Sequence, residues 1–156
     1  MSDQSTSTRL FELLEQRVAN PVLRVLLRTP LATVVGDRLV LLSYRGRRSG
    51  RRIRTPVMTV RDGGERVVTT SRSGVTWWHN FTDGHDAVLW VRGNEQPVTG
   101  RAVTEEAEVA AWLETMQSRG QDRLLGFFGL ESDADSAAIE AAAADIVVVR
   151  FSPRSP

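Results

Sequence analysis

The chain has no cysteine and no lysine, and it has only two histidines and one tyrosine among its 156 residues. Without cysteine the protein has no disulfide framework, no Cys-ligated zinc or iron–sulfur cluster and no thiol nucleophile. Two histidines disfavour a His-rich metal site, so no metal is predicted. The chemistry of the protein therefore has to come from other residues or from a cofactor.

The sequence also lacks a long hydrophobic run. No stretch of about 18 apolar residues is present to span a bilayer, and residues 1–8 lack the basic and apolar regions of a secretory signal. These absences predict a cytoplasmic protein. The length and the 41% hydrophobic content fit one domain. We expect a disordered N-terminal tail at 1–8, a single domain at 9–151 and a C-terminal tail at 152–156.

The net charge of +1 conceals an uneven distribution of charge along the chain. Residues 1–100 hold fifteen arginines and nine acidic residues, whereas residues 101–156 hold five arginines and ten acidic residues. Six arginines lie within ten residues: Arg45, Arg47, Arg48, Arg51, Arg52 and Arg54. Guanidinium groups at this density, next to glycines that bend the backbone, predict a binding site for phosphate or carboxylate oxygens.

Hydrophobic periodicity predicts helices around a small antiparallel barrel. Residues 9–28 are predicted to be helical, with a first helix that ends near Pro21. We expect this segment to pack on the domain; the alternative is contact with a membrane surface. Short runs rich in β-branched residues predict strands at 39–44, 53–60, 66–71, 87–91, 97–103 and 146–151. Further helices are expected at 76–81, from a cap at Thr104 to Gly120, and at 132–144.

The arginine-rich segment does not match the common phosphate-binding loops. Residues 46–50 lack the GK[ST] ending of a Walker loop and lead into a strand, and they do not form a GxGxxG turn. Nucleic-acid binding is disfavoured by the near-neutral charge and the acidic last third of the chain, and a solvated charge run would not explain the glycines or the Thr55-Pro56 pair. The remaining pattern consists of a strand, an anion loop, a Thr-Pro strand and a Trp-Trp-x-Asn helix. This combination is typical of a binding site for a flat aromatic cofactor with a phosphorylated tail.

In order and spacing these motifs resemble the deazaflavin-dependent nitroreductase family of the split β-barrel, flavin-reductase-like (FMN-binding split-barrel-like) fold. The resemblance lies in Gly46-Arg-Arg-Ser-Gly-Arg-Arg-Ile-Arg-Thr-Pro-Val57, then Ser71, then Trp77-Trp-His-Asn80. It implies an α+β fold, a split antiparallel β-barrel with flanking helices. It also implies binding of coenzyme F420, a 5-deazaflavin with a phospholactyl-oligoglutamate tail, and hydride transfer to a quinone, enone or nitroaromatic compound. A homodimer is compatible with this resemblance.

The resemblance also assigns roles to residues. The implied cofactor-binding residues are Arg47, Arg48, Ser49, Gly50, Arg51, Arg54, Thr55, Pro56, Val57, Met58, Ser71, Arg72, Trp77 and Asn80. Because neighbours on a strand alternate in direction, Arg45 and Arg52 are expected to be solvated or salt-bridged. Tyr44 is a candidate proton donor, although a structural hydroxyl is the simpler interpretation, and Phe127 and Phe128 are candidates for the substrate pocket. His79 and His85 are expected on the surface.

Two departures from the family pattern keep other functions open. Only five residues separate Ser71 from Trp77, so the loop that covers the cofactor is short, and phenylalanines stand where relatives use tyrosines near the C-terminus. The alternatives are an FMN-binding split-barrel oxidoreductase and a non-catalytic protein that binds a cofactor, haem or lipid.

Overall fold

The structure is a computed structural model that describes residues 38–154, so the helical segment predicted at 9–28 lies outside the described residues. Seven strands follow in chain order: β1 Leu39–Arg45, β2 Arg52–Met58, β3 Val60–Asp62, β4 Glu65–Ser71, β5 His85–Val91, β6 Asn94–Val103 and β7 Ile146–Pro153. A 3₁₀ helix covers Trp77–Phe81, and three α-helices cover Glu106–Ser118 (α1), Asp122–Phe127 (α2) and Ser136–Ala143 (α3).

All strand pairs are antiparallel, and the sheet has the order β2-β1-β5-β6-β7-β4-β3. The sheet is curled, since β2 also contacts β4 although four strands lie between β2 and β4 in that order. This curled sheet with helices on one face confirms the predicted α+β fold, a split antiparallel barrel with flanking helices. The arginine-rich segment forms the turn between β1 and β2.

Alternating side chains of the same strands build two cores. Val147, Val149 and Phe151 of β7 point into the barrel, where they pack with Val40 and Leu42 of β1. Ile146 and Val148 point to the other face, where α1, α2 and α3 cover them. The 3₁₀ helix contributes Phe81, which is fully buried, to the barrel core. One end of the barrel is therefore closed by the aromatic segment next to the arginine turn.

The boundaries differ from the predictions where local hydrogen bonds intervene. The strand expected at 53–60 breaks at Thr59, whose backbone N–H (2.6 Å) and hydroxyl (3.1 Å) both donate to the carbonyl of Arg38. The N-cap of α1 is Glu105 and not Thr104. α3 begins at Ser136, later than expected, because the Asp135 carboxylate accepts the N–H of Ala138 at 2.9 Å. β7 continues through Pro153, two residues beyond the expected strand.

No helix within residues 38–154 is long and apolar enough to cross a membrane.

Candidate functional site

The turn between β1 and β2 is held by its own backbone. The backbone N–H of Gly46 donates to the carbonyl of Arg51 at 2.9 Å, and the N–H of Gly50 donates to the carbonyl of Gly46, also at 2.9 Å. Gly50 has φ +66°, a left-handed conformation that glycine adopts without strain. A Cβ at Gly46 would lie 2.6 Å from the Ser49 hydroxyl, so a side chain there would displace the exposed Ser49 side chain. The conformation of the turn thus favours glycine most clearly at Gly50.

Within the described residues the clustered arginines fall into two groups. Arg45 donates to the Gly50 carbonyl at 3.3 Å, Arg47 pairs with Asp83 at 3.3 Å, and Arg54 also has a partner. A second group consists of Arg48, Arg51 and Arg52, which are exposed and whose guanidinium groups make no hydrogen bond or ion pair inside residues 38–154. Three guanidinium groups, on the turn and at the start of β2, are therefore available to an anion.

Two backbone donors accompany these side chains. Among residues 38–154, the N–H groups of Arg48 and Ser49 have no acceptor, whereas the N–H of Arg51 donates to the Ser49 hydroxyl at 3.2 Å. Successive N–H groups of a turn form a concavity that suits an anion. The predicted roles of Ser49 and Gly50 thus become distinct: Gly50 shapes the turn, and Ser49 supplies a free N–H.

The 3₁₀ helix is connected to the arginine turn through Asn80. The Asn80 side chain accepts the backbone N–H of Arg47 at 2.9 Å and donates to the Trp77 carbonyl at 2.8 Å. Thr82 and Asp83, which follow the helix, both accept hydrogen bonds from the Arg47 guanidinium. The predicted Trp-Trp-x-Asn helix and the predicted anion loop are therefore adjacent in the structure.

The first residue of β5 makes a second connection to this turn. The Nε2 of His85 lies 2.6 Å from the Arg45 carbonyl, and its ring packs edge-on against Phe81. His85 was expected to be a surface residue, and it is only half-buried, yet it fixes the end of β1. Sequence reasoning missed this contact because nothing in the local pattern indicates which strand end a turn histidine meets.

The two tryptophans of the 3₁₀ helix occupy different environments. Trp78 is buried in the barrel core and its indole N–H has no acceptor within the described residues, whereas Trp77 is half-buried at the edge of that core. The ring of the exposed His79 stacks on Trp78 with centroids 3.7 Å apart. Trp77 is thus the tryptophan of this pair that keeps some surface for contact with a flat ring next to the arginine turn.

Tyr44 lies just inside the barrel under this helix. Its ring packs edge-on against Phe81 at 5.2 Å, and only 4% of the residue is exposed. Burial raises the pKa of the Tyr44 hydroxyl to about 12. Buried Tyr44 therefore gives up its proton less readily than an exposed tyrosine, and its ring packs in the barrel core. Its role as a proton donor stays a prediction.

The predicted contact strip on β2 is divided between the two faces of the strand. Thr55 and Val57 point into the barrel, since Val57 packs with the interior residues. The alternate positions Arg52, Arg54, Pro56 and Met58 lie on the outer face, where Met58 contacts Leu39 and Leu41. One flat ring can touch only one of these sets, and Arg52, expected to be solvated, shares the outer face with Arg54.

Ser71 and Arg72 are engaged in local structure at the end of β4. The Ser71 hydroxyl accepts the N–H of Gly74 at 2.9 Å. The Arg72 guanidinium donates to three backbone carbonyls, those of Thr104 (2.7 Å), Ala144 (3.1 Å) and Ile146 (3.1 Å). Arg72 thus connects β4 to the segment before α1, to the C-cap of α3 and to β7.

The structure does not bring the predicted substrate-pocket residues to the arginine turn. Phe127 is the last residue of α2, and Phe128 packs against the helical core on the other face of the sheet. Leu124, Leu125 and Leu130 are buried in the same core. This segment therefore packs the helices in place.

Comparison with known proteins agrees with this geometry. The model of the F420H(2)-dependent quinone reductase family matches residues 23–122, about two thirds of the chain and including the arginine turn and the 3₁₀ helix. No curated protein sequence is significantly similar.

Solved structures of similar proteins match at low identity. They include a putative pyridoxamine 5'-phosphate oxidase from Listeria innocua (12% identity, 80% of this chain and 90% of that chain, TM-score 0.49). They also include an F420-H2 dependent reductase (17% identity, 72% and 93%, TM-score 0.45) and an F420 reductase (17% identity, 84% and 92%, TM-score 0.43). All three TM-scores are below 0.5, so the sequence match over residues 23–122 decides the assignment. The chain belongs to the F420H(2)-dependent quinone reductase family.

Proposed function

We propose that this F420-dependent reductase holds the anionic tail of its cofactor at the arginine turn and reduces a quinone, an enone or a nitroaromatic compound. The observation that carries the proposal is the set of three guanidinium groups, those of Arg48, Arg51 and Arg52, that have no partner in the described part of the chain and lie near the half-buried Trp77. A polyanionic tail and a flat ring are the two parts of F420 that these groups complement.

The donors of the turn fit the chemistry of this cofactor. Guanidinium groups bind phosphate and carboxylate oxygens in pairs, and the N–H groups of Arg48 and Ser49 add two uncharged donors at the centre of the turn. Arg47 is a weaker candidate than the three others, because it already pairs with the exposed Asp83 at 3.3 Å. Within residues 38–154 no acidic side chain pairs with the three free arginines. The residues present therefore fit the tail of F420.

The bound cofactor would supply the hydride from C5 of its reduced ring. The chain's own residues have to place that ring and exclude water around it. Asn80 and His85 hold the turn against the barrel, so they would fix the tail relative to Trp77. Met58 is a further candidate to line the ring, because it is half-buried on the face of β2 that also carries Arg52 and Arg54, whereas Pro56 on that face is buried.

Binding is tested by titrating the protein with F420 and following tryptophan fluorescence. We expect Arg48→Ala/Arg51→Ala to raise the Kd at least about tenfold, since each charge-assisted hydrogen bond contributes about 1.5 kcal/mol or more and the exposed position reduces this gain. The matched control is Arg92→Ala/Arg101→Ala, which removes two exposed arginines outside the turn. Equal losses in both variants would remove the assigned role of the turn.

Turnover is tested with reduced F420 and a quinone, an enone or a nitroaromatic compound, from the return of the oxidised deazaflavin absorbance. Turnover with at least one acceptor supports the proposal. Binding of F420 without turnover of any acceptor would favour a non-catalytic carrier. Binding of FMN in place of F420 would favour the FMN-dependent alternative and contradict the cofactor assignment.

A further inference from the structure

An acidic side chain, that of Asp83, pairs with the arginine turn. Asp83 lies two residues after the 3₁₀ helix, and its Oδ2 accepts hydrogen bonds from Nη2 of Arg47 at 3.3 Å and from Nη1 at 3.4 Å. Arg48 and Ser49, the next two residues of the turn, carry the backbone N–H groups that have no acceptor within residues 38–154. A carboxylate therefore stands beside the surface where the anionic tail of the cofactor is proposed to bind.

The ion pair between Arg47 and Asp83 is weak. Both of its distances exceed the roughly 2.7–2.9 Å that is usual for a charge-assisted hydrogen bond. The side chains of Arg47 and Asp83 are 40% and 80% exposed, so solvent screens their attraction. By contrast, Arg150 and Asp62 are 2.8 Å apart, and their side chains are 28% and 15% exposed. The guanidinium of Arg47 can therefore change its partner at small cost.

The backbone of Arg47 is held independently of this ion pair. Its N–H donates to the Asn80 side chain at 2.9 Å, so the turn keeps its shape when the guanidinium leaves Asp83. An anion bound at the N–H groups of Arg48 and Ser49 would attract the Arg47 guanidinium and repel the Asp83 carboxylate. A tail with several negative charges competes for Arg47 more strongly than a single exposed carboxylate does.

We propose that Asp83 is a displaceable counter-ion of the cofactor site and determines how tightly the site holds the anionic tail. Asp83 pairs with Arg47 while the turn is empty, and the tail takes over Arg47 when F420 binds. This inference rests on the proposed function. Each hydride transfer leaves an oxidised cofactor, which has to be replaced or reduced again. A carboxylate that competes with the tail shortens the time for which the oxidised cofactor stays bound.

The test is a tryptophan-fluorescence titration of the full chain with F420 and with its tail-free form, the same deazaflavin with a free ribityl hydroxyl. Asp83→Asn should lower the Kd for F420 about threefold or more, because Arg47 becomes available to the tail. The same variant should gain no affinity for the tail-free form, and its thermal unfolding midpoint should equal that of the wild type. An unchanged or higher Kd for F420, or an equal gain with the tail-free form, would overturn the proposal.

Asp86→Asn is the matched control, because Asp86 forms a similar exposed ion pair with Arg154 at 3.2 Å, with side chains 62% and 40% exposed. It changes the net charge by the same amount and should leave the Kd for F420 unchanged. A gain in Asp86→Asn as large as that in Asp83→Asn would mean that net charge alone is responsible, which contradicts the proposal.

A double-mutant cycle tests whether Asp83 acts through Arg47. Direct repulsion between the tail and the exposed Asp83 is screened, so most of the gain from Asp83→Asn should vanish in an Arg47→Gln background. A gain of undiminished size in that background would rule out the exchange of partners. If the wild type does not bind F420 at all, the proposed function itself fails; if it binds F420 and Asp83→Asn has no effect, only the present inference fails.

Discussion

Arginine has several different roles in this protein, and its position decides which one. Arg72 donates hydrogen bonds to three backbone carbonyls, and Arg47 forms an ion pair with Asp83. The guanidinium group of Arg48 has no partner within residues 38–154. Because the chain contains no lysine, residue type alone carries no information about these roles. The sequence predicts an anion site from the clustering, but only the three-dimensional partners show which arginines an anion can use.

Tyr44 provides a pH-dependent test of burial. The chain has one tyrosine and neither lysine nor cysteine, so no other side chain is expected to titrate between about pH 8.5 and 12. Burial raises the pKa of folded Tyr44 from 10.0 to about 12, so the folded state keeps a proton that the unfolded state loses. We expect the free energy of unfolding to fall as the pH rises from 10 to 12, and Tyr44→Phe to abolish that fall.

The measurement for Tyr44 is urea denaturation across this pH range, together with the tyrosinate absorbance of the folded protein. At neutral pH the substitution should cost about 1 kcal/mol or less, because the hydroxyl has no hydrogen-bond partner within the described residues. An identical alkaline decline in Tyr44→Phe would show that another transition causes it. Turnover in this variant also tests the predicted proton donor: an unchanged kcat would exclude that role.

At the scale of elements, Gly100 of β6 controls how the 3₁₀ helix sits on the barrel. A Cβ at this position would lie 2.5 Å from Phe81 and 2.7 Å from Phe151, both fully buried. Gly100→Ala should therefore cost about 1 to 3 kcal/mol by overpacking, and it should weaken F420 binding by displacing the helix that carries Trp77 and Asn80.

The matched control for Gly100 is Gly126→Ala in α2, where a Cβ meets no atom within 4 Å. Alanine favours the helix there, so this variant should be as stable as the wild type or more stable by up to about 1 kcal/mol. Thermal unfolding and F420 titration measure both effects. A Gly100→Ala variant as stable as Gly126→Ala would contradict the close packing of Phe81 and Phe151.

The elements themselves were largely predictable, whereas their contacts were not. Periodicity of two and turn glycines place most strands within two or three residues, because both signals are local. The break at Thr59 was not predictable, since it depends on a carbonyl 21 residues earlier in the chain. The residues Thr55–Met58 are divided between two faces because side chains alternate along a strand. The sequence motif treats these residues as one continuous run, so this division is easily missed.

At the scale of the whole molecule, one carboxylate joins the helical layer to the barrel. Asp62 at the end of β3 accepts hydrogen bonds from Trp112 of α1 (3.2 Å) and from Arg119, the C-cap of α1 (2.9 Å). It also accepts a bond from Arg150 of β7 at 2.8 Å. Hydrogen bonds from Arg119 and then Arg150 hold the pKa of Asp62 below its usual value.

Asp62→Asn should thus weaken the attachment of the helices to the barrel. The Asp62 side chain is 15% exposed, and we expect the variant to lose about 1 to 2 kcal/mol at pH 7, because the half-exposed Arg119 loses its carboxylate partner while Arg150 keeps its pair with Glu65. A carboxyl whose pKa is lowered by folding stabilises the protein above its ordinary pKa of 3.8, and this contribution disappears as the pH falls through the folded value.

The difference in unfolding free energy between Asp62→Asn and the wild type should therefore shrink as the pH falls below 3.8. Urea denaturation between pH 7 and pH 3 measures it, with the exposed Asp133→Asn as the control that should cost little at any pH. A difference that stays constant over this range would mean that packing, and not the charge of Asp62, makes the connection.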